Sequence, residues 1–288
     1  MLNIKRPTPC VLVLSFCLFL ASPHAQASLT SNGGFEGAFT AWTVATEAGS
    51  GGGWYVQTGT SSPLNGFSVP APPQGSYAAM TDSQGPSSQA LLQTFTVPGP
   101  GTVTLSFEYF LLDATNGAYD SALGAPPDSL DYNYSPNNQQ ARVDILTASA
   151  GAFDLGGSVI DNVLTATPLS LGDPNSNACF PEFCAYQSVS VDISSYVGAG
   201  GTFQIRFAEV DDLGEPFVFG VDDVSIDSVP EPSSFALLGV ALLVYSARTL
   251  WTNCTAIDPS PTAAATRFML PDRTSPTANT PGRLVSSR

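Results

Sequence analysis

Apolar and polar residues alternate with a period of two over much of the chain. The pattern is clearest at residues 89–97 (Q-A-L-L-Q-T-F-T-V) and 102–110 (T-V-T-L-S-F-E-Y-F). Alternation of this kind sends successive side chains to opposite faces of a strand. Val103, Leu105, Phe107 and Tyr109 therefore share one face, a typical core set. Between the two segments, Pro98-Gly99-Pro100-Gly101 reads as a turn, because proline fixes φ and glycine supplies positive φ. The same reasoning predicts strands at residues 142–147, 187–193, 202–209 and 217–226, with Gly198 to Gly201 turning the chain before the third of these. No stretch between residues 28 and 228 carries a helical period. Short strands separated by Gly/Pro turns predict an all-β domain, a β-sandwich. Two polar excursions interrupt the pattern, residues 113–140 and 169–186, and loops of that length are usually functional or disordered.

The pattern changes at both ends. Lys5 and Arg6 precede an apolar run at residues 11–21, and Ala25-Gln26-Ala27 offers small residues for cleavage. This is the layout of a secretory signal peptide over residues 1–27, too short for a transmembrane helix. At the other end, Val229-Pro230-Glu231-Pro232-Ser233 stands before an apolar run, residues 236–245, closed by Arg248. Two prolines about a glutamate can continue neither a strand nor a helix interior, so the motif is an exposed, extended segment ahead of a short hydrophobic helix. A proline-rich linker before an ordinary core helix is the alternative. Residues 249–288 are rich in Pro, Thr, Ala and Ser, a composition that predicts a disordered tail.

Composition narrows the chemistry. The exported part, about 200 residues, is long enough for one domain with a substantial core. Between Ser28 and Val229 stand 21 Asp and Glu against two basic residues, Arg142 and Arg206, for a formal charge of −19. Such a surface repels phosphate backbones and excludes nucleic acid as a partner. It suits divalent cations, calcium above all. The only histidine, His24, lies in the signal peptide, so histidine-based triads, zinc sites and general bases are unavailable to the domain. Carboxylate chemistry remains, as in glycoside hydrolysis. Cys179 and Cys184, in C-F-P-E-F-C, can close a small local disulfide loop in an oxidising compartment.

The order V-P-E-P-S, apolar helix, arginine over residues 229–248 closely resembles the PEP-CTERM sorting signal, which also goes under the label ice-binding protein C-terminal domain. The resemblance implies export, membrane retention by the helix and processing near Pro230, Glu231 and Pro232 by an exosortase. The chain departs from that pattern beyond Tyr245, where the apolar run breaks and a long tail follows in place of a terminal arginine cluster. A flat threonine array, which an ice-binding role would require, is missing.

A second resemblance spans residues 28–228. Asn32-Gly33-Gly34-Phe35-Glu36, then Trp42, Leu92-Gln93-Thr94-Phe95, and finally Phe219-Gly220-Val221-Asp222-Asp223-Val224-Ser225-Ile226 form an ordered set. It is similar to that of the galactose-binding-like jelly rolls of carbohydrate-binding modules. The likeness implies a jelly-roll β-sandwich whose first and last strands meet beside a structural calcium. Glu36 with one of Asp222 and Asp223, Asp222 favoured, would be its side-chain ligands; a pair of solvated turn and edge residues is the competing reading. By the same pattern Trp42 packs in the core. Trp54, Tyr55, Tyr119, Tyr132 and Tyr134 are the candidates for exposed, sugar-stacking rings. Glu209, Asp211, Asp212 and Glu215 cluster near a turn and read as a solvated acidic loop. The expected protein is an exported, non-catalytic sandwich of the envelope or extracellular matrix that binds polysaccharide. The alternatives are a purely structural matrix component and a carboxylate-based glycoside hydrolase.

Overall fold

A computed structural model describes residues 28–113, 128–134, 138–167, 185–212, 217–230, 239, 241–246 and 248. Among them are ten strands: β1 (Thr43–Thr46), β2 (Gly52–Thr58), β3 (Tyr77–Ser83), β4 (Ser87–Val97), β5 (Gly101–Asp113), β6 (Gln140–Thr147), β7 (Val159–Ala166), β8 (Gln187–Asp192), β9 (Gly201–Asp211) and β10 (Phe217–Pro230). They form two antiparallel five-stranded sheets, ordered β1-β4-β9-β6-β7 and β2-β3-β10-β5-β8. The protein is an all-β sandwich, and one short helical turn, α1 (Ser194–Val197), leads from β8 to β9.

Alternation sets which side chains meet between the sheets. Leu91, Phe95 and Val97 of β4 and Ile205 and Phe207 of β9 face Val103, Leu105, Phe107, Tyr109 and Leu111 of β5 and Phe217, Phe219 and Val221 of β10 in one cluster. The face expected at Val103, Leu105, Phe107 and Tyr109 is thus the core face. Phe207 lies at its centre, with ring centroids 5.5 Å from Phe107, 6.0 Å from Trp42 and 6.4 Å from Phe219. Each such aromatic pair adds about 0.5–1.5 kcal/mol beyond area burial.

The outer faces are covered as well. Ala90, Leu92, Leu146, Ala208 and Val210 of the first sheet pack under Leu130, Tyr132 and Phe153. Met80, Phe110, Leu112 and Val218 of the second pack under Phe67, Val69 and Tyr186. This double burial explains one strand that alternation does not predict, and the other two have reasons of their own. Tyr77–Ser83 is buried at every position but the first and so carries no polar face. Val159–Ala166 is an edge strand with two register irregularities against β6. Thr43–Thr46 is only four residues long.

Contacts divide the chain into residues 1–233 and residues 234–288. In the second unit, residues 241–246 are helical and exposed. No helix among the described residues is long and apolar enough to cross a membrane. Residues 1–27, Cys179 and Cys184, Glu231 and Pro232, and residues 249–288 lie outside the described residues.

Candidate functional site

The N-terminal segment docks on β10. Leu29 N–H donates to the Ile226 carbonyl (2.7 Å), Val224 N–H to the Gly33 carbonyl (3.0 Å), and Thr30 Oγ1 to the Val224 carbonyl (3.1 Å). The two ends of the domain therefore meet. Asn32, at φ 53°, organises the turn: its Nδ2 donates to the carbonyls of Ala38 and Thr40, and its Oδ1 accepts from Gly37 N–H. Its own carbonyl accepts from the indole Nε1 of Trp42 (3.0 Å), whose ring packs on Phe35 at 5.3 Å. Trp42 is a core residue.

Gly33 is required by close approach, since a Cβ there would overlap the Val224 carbonyl oxygen. Gly33→Ala is expected to cost at least about 1–3 kcal/mol through forced backbone shift. A thermal melt of the variant against wild type checks this.

The docked turn carries Glu36 to the segment before β3. Glu36 Oε1 accepts from Ser76 N–H (2.8 Å) and Tyr77 N–H (3.0 Å). Asp222 is wholly buried, and its carboxylate accepts from Gln74 N–H (3.3 Å) and Asp223 N–H (2.8 Å). Burial pushes the Asp222 carboxyl up to about 7; the backbone N–H groups oppose the shift, and the charges of Asp223 and Glu36 add to it. A Cβ at Gly34 would stand 2.5 Å from Gln74 Oε1 and 3.9 Å from Asp222 Oδ1, so these oxygens face one space. Asp223 is exposed at φ 50°, in an irregularity where β10 slips against β5 between Asp222 and Ser225. The neighbouring aspartates are thus separated by a bulge.

Among the described residues, no three His, Cys, Asp or Glu side chains are grouped to hold a metal ion. The Glu36–Asp222 set still fits a hard cation on donor chemistry, because calcium accepts amide and backbone carbonyl oxygens beside carboxylates. Asp222 also brings a buried charge next to two others, with no basic side chain among the groups that shift it.

The aromatic candidates separate. Trp54 is buried, with 5 % exposure, and its ring meets Phe219 at 5.8 Å. The expectation of an exposed Trp54 is corrected: β2 aligns it with Thr81 on the inner face of the second sheet. Tyr55 is half-buried. Tyr132 is half-buried too, with its hydroxyl donating to the Ala48 carbonyl (3.0 Å). Tyr134 is exposed. Tyr119 lies outside the described residues.

The acidic set is corrected as well. Glu209 and Asp211 are wholly buried on β9, not in a solvated loop. Gln89 Nε2 donates to Glu209 Oε2. Asp211 accepts from Gln139 Nε2 (2.8 Å), Ser83 Oγ (3.3 Å) and Phe217 N–H (3.3 Å). Burial, then the charge of Asp211, raises the Glu209 carboxyl well above the usual range; the Gln89 bond opposes this and Asp82 adds to it. Asp212 is half-buried and accepts from Asn138 N–H. Glu215 lies outside the described residues. The period that places Ile205 and Phe207 inside runs on to Glu209 and Asp211, but acids beside a turn read as solvated.

Residues 228–248 match the PEP-CTERM protein-sorting motif. No curated protein matches the chain. Among solved structures, it is similar to TmCBM61 in complex with β-1,4-galactotriose (13 % identity over 70 % of this chain and 99 % of that one, TM-score 0.37). It is also similar to a structure from work on carbohydrate-binding modules of the β-sandwich superfamily (13 % identity, 69 % and 62 % covered, TM-score 0.35) and to a Stig cyclase from Fischerella sp. TAU (16 % identity, 72 % and 100 % covered, TM-score 0.39). The sheets themselves, not these likenesses, define the fold.

Proposed function

We propose that the protein is an exported β-sandwich of the cell envelope or extracellular matrix, non-catalytic, sorted through its C-terminal motif and binding polysaccharide. The observation that carries the reading is the sorting motif at residues 228–248, which begins within the last strand, β10, and so leaves the sandwich directly from its final ladder. An exosortase would process the chain near Pro230, Glu231 and Pro232, with retention at the inner membrane by the C-terminal helix up to that point. The non-catalytic part rests on the absence of histidine from residues 28–229 and on Glu209 and Asp211 facing the space between the sheets rather than flanking an open cleft. Calcium would be held by Glu36 and Asp222, with Gln74 and backbone oxygens, and would supply positive charge that ties the N-terminal turn to β10. Asp223, exposed beside them, would add charge more than coordination.

Among the described candidates, Tyr134, Tyr55 and Tyr132 are the rings left for a sugar. The burial of both Trp42 and Trp54 favours a second reading, a structural matrix component without a specific ligand.

Binding of the purified full chain to a panel of insoluble and soluble polysaccharides, with calcium and with chelator, separates the two. The expected result is saturable binding that chelator weakens. Tyr134→Ala should cost about 1 kcal/mol, roughly fivefold in Kd. A folded sample that binds no polysaccharide would support the structural reading. Replacing Pro230, Glu231 and Pro232 with alanine is expected to leave unprocessed precursor in the membrane fraction.

A further inference from the structure

We propose that the inner, polar end of the sandwich is a second cation site, for a hard divalent ion of the calcium kind, held by Glu209, Asp211 and the side-chain amide oxygens of Gln89 and Gln139. It lies on the first sheet, separate from Glu36 and Asp222, and does not depend on the polysaccharide reading.

Strand register brings the groups together. Gln89 of β4 stands directly opposite Glu209 of β9, and Ser87 opposite Asp211. Glu209 and Asp211 continue the inward-facing positions of Ile205 and Phe207, so the apolar interior gives way to carboxylates at this end. Gln89, Gln139, Glu209 and Asp211 are all 0 % exposed.

The hydrogen bonds orient both amides the same way. Gln89 turns its NH2 group to Glu209, and Gln139 turns its own to Asp211. Their oxygens are left over: Gln89 Oε1, Gln139 Oε1 and Glu209 Oε1 are buried without a hydrogen-bond partner. The reverse orientation of either amide would set its oxygen against a carboxylate. The three buried acceptors outnumber the one unpaired hydroxyl that the register places beside them, Ser87 Oγ, and a centre of positive charge complements such a set. Gly53 of β2 lies beside the set: the Cβ that it lacks would stand 3.7 Å from Thr46 Oγ1, 3.9 Å from Gln89 Oε1 and 4.0 Å from Tyr55 Oη.

Charge gives an independent reason. The domain has two arginines, and both are engaged at Asp144. Neither arginine is then placed to offset Glu209. Burying uncompensated charge costs several kcal/mol per ion, so a cation or a proton must neutralise the pair. One proton on Glu209 can satisfy one leftover oxygen; a cation that takes six to eight oxygen ligands gathers all three. With two carboxylates, the remaining donors are amide oxygens, which calcium accepts.

The test is equilibrium dialysis of the chelator-stripped full chain against calcium, in a Glu36→Gln/Asp222→Asn background that removes the first candidate site. The expected result is one calcium per chain in that background, lost on adding Glu209→Gln with the far-ultraviolet circular dichroism unchanged. Retention of the calcium after Glu209→Gln overturns the proposal, as does a background variant that binds none. A chain that binds no calcium but is stabilised by Glu209→Gln holds a protonated Glu209 instead, which also overturns it. Should Glu209→Gln fail to fold, Gln139→Met decides: loss or weakening of the bound calcium supports the site, and unchanged binding refutes it.

Discussion

Arg206→Ala is expected to destabilise the domain by about 3–5 kcal/mol, the usual cost of leaving one partner of a buried ion pair alone. Among the described residues Arg206 is the largest wholly buried side chain, and it points out of the first sheet on the face opposite Phe207. Its Nη2 and Nε reach Asp144 Oδ2 at 2.7 and 3.2 Å, and its Nη1 donates to the carbonyls of Ala152 (3.0 Å) and Asp154 (2.7 Å). Burial pulls the guanidinium pKa down, and Asp144 pushes it back up. Asp144 in turn accepts from Arg142 Nη2 (3.2 Å) and Asn162 Nδ2 (2.7 Å).

Removing Arg206 would leave Asp144 buried with weaker compensation, since Arg142 also serves the exposed Asp128. It would also free the 152–154 segment, whose Phe153 covers the outer apolar cluster. Urea unfolding checks the size of the loss. Asp144→Asn in an Arg206→Met background should recover much of it, because the uncompensated charge is then gone. A loss below about 1 kcal/mol for Arg206→Ala would mean that the pair behaves as a solvated surface bridge.

The same arginine shows what the sequence could and could not reveal. Two basic residues among 21 acids are visible in the sequence, but not that both converge on one aspartate. Strands with one polar face were legible: Gly101–Asp113 and Ser87–Val97 contain the segments that alternation picks out. Tyr77–Ser83 was not, because loops cover its outer face and erase the period. The meeting of the chain ends was legible through Asn32, Gly33 and Trp42, whose identities are fixed by a left-handed turn, a close approach and an indole hydrogen bond. Trp54 reads as exposed because a tryptophan after a glycine run looks like a loop residue; its register against Thr81 puts it inside. Glu209 and Asp211 read as solvated for the opposite reason. Acids near a turn are usually solvated, and their burial follows from an amide pair, Gln89 and Gln139, that is distant in sequence.

In chelator, the domain is expected to lose stability as pH rises from about 4 to about 7, the reverse of an ordinary acid-labile protein. The Asp222 carboxyl is raised from 3.8 to about 7, with burial as the main cause. A carboxyl whose folded pKa lies above its unfolded value binds its proton more tightly in the folded state. Between those two values the folded chain holds more protons than the unfolded one, so unfolding becomes easier as pH increases, and above the upper value the effect levels off. Glu209 is shifted in the same direction and steepens the fall. Calcium should reverse the trend, because it binds the ionised carboxylate and competes with the proton; its stabilisation grows through the same window. Urea midpoints measured at pH 5 and pH 8, with chelator and with calcium, give four numbers that decide the matter. The expected order is a lower midpoint at pH 8 than at pH 5 in chelator, and a higher one in calcium. Asp222→Asn should flatten the chelator profile, since a neutral amide carries no titrating charge, while its single oxygen keeps only one of the two N–H bonds that Asp222 accepts. A chelator profile that rises with pH would show that Asp222 ionises in the ordinary carboxylate range, and with it would fall the argument that Glu36 and Asp222 wait for a cation.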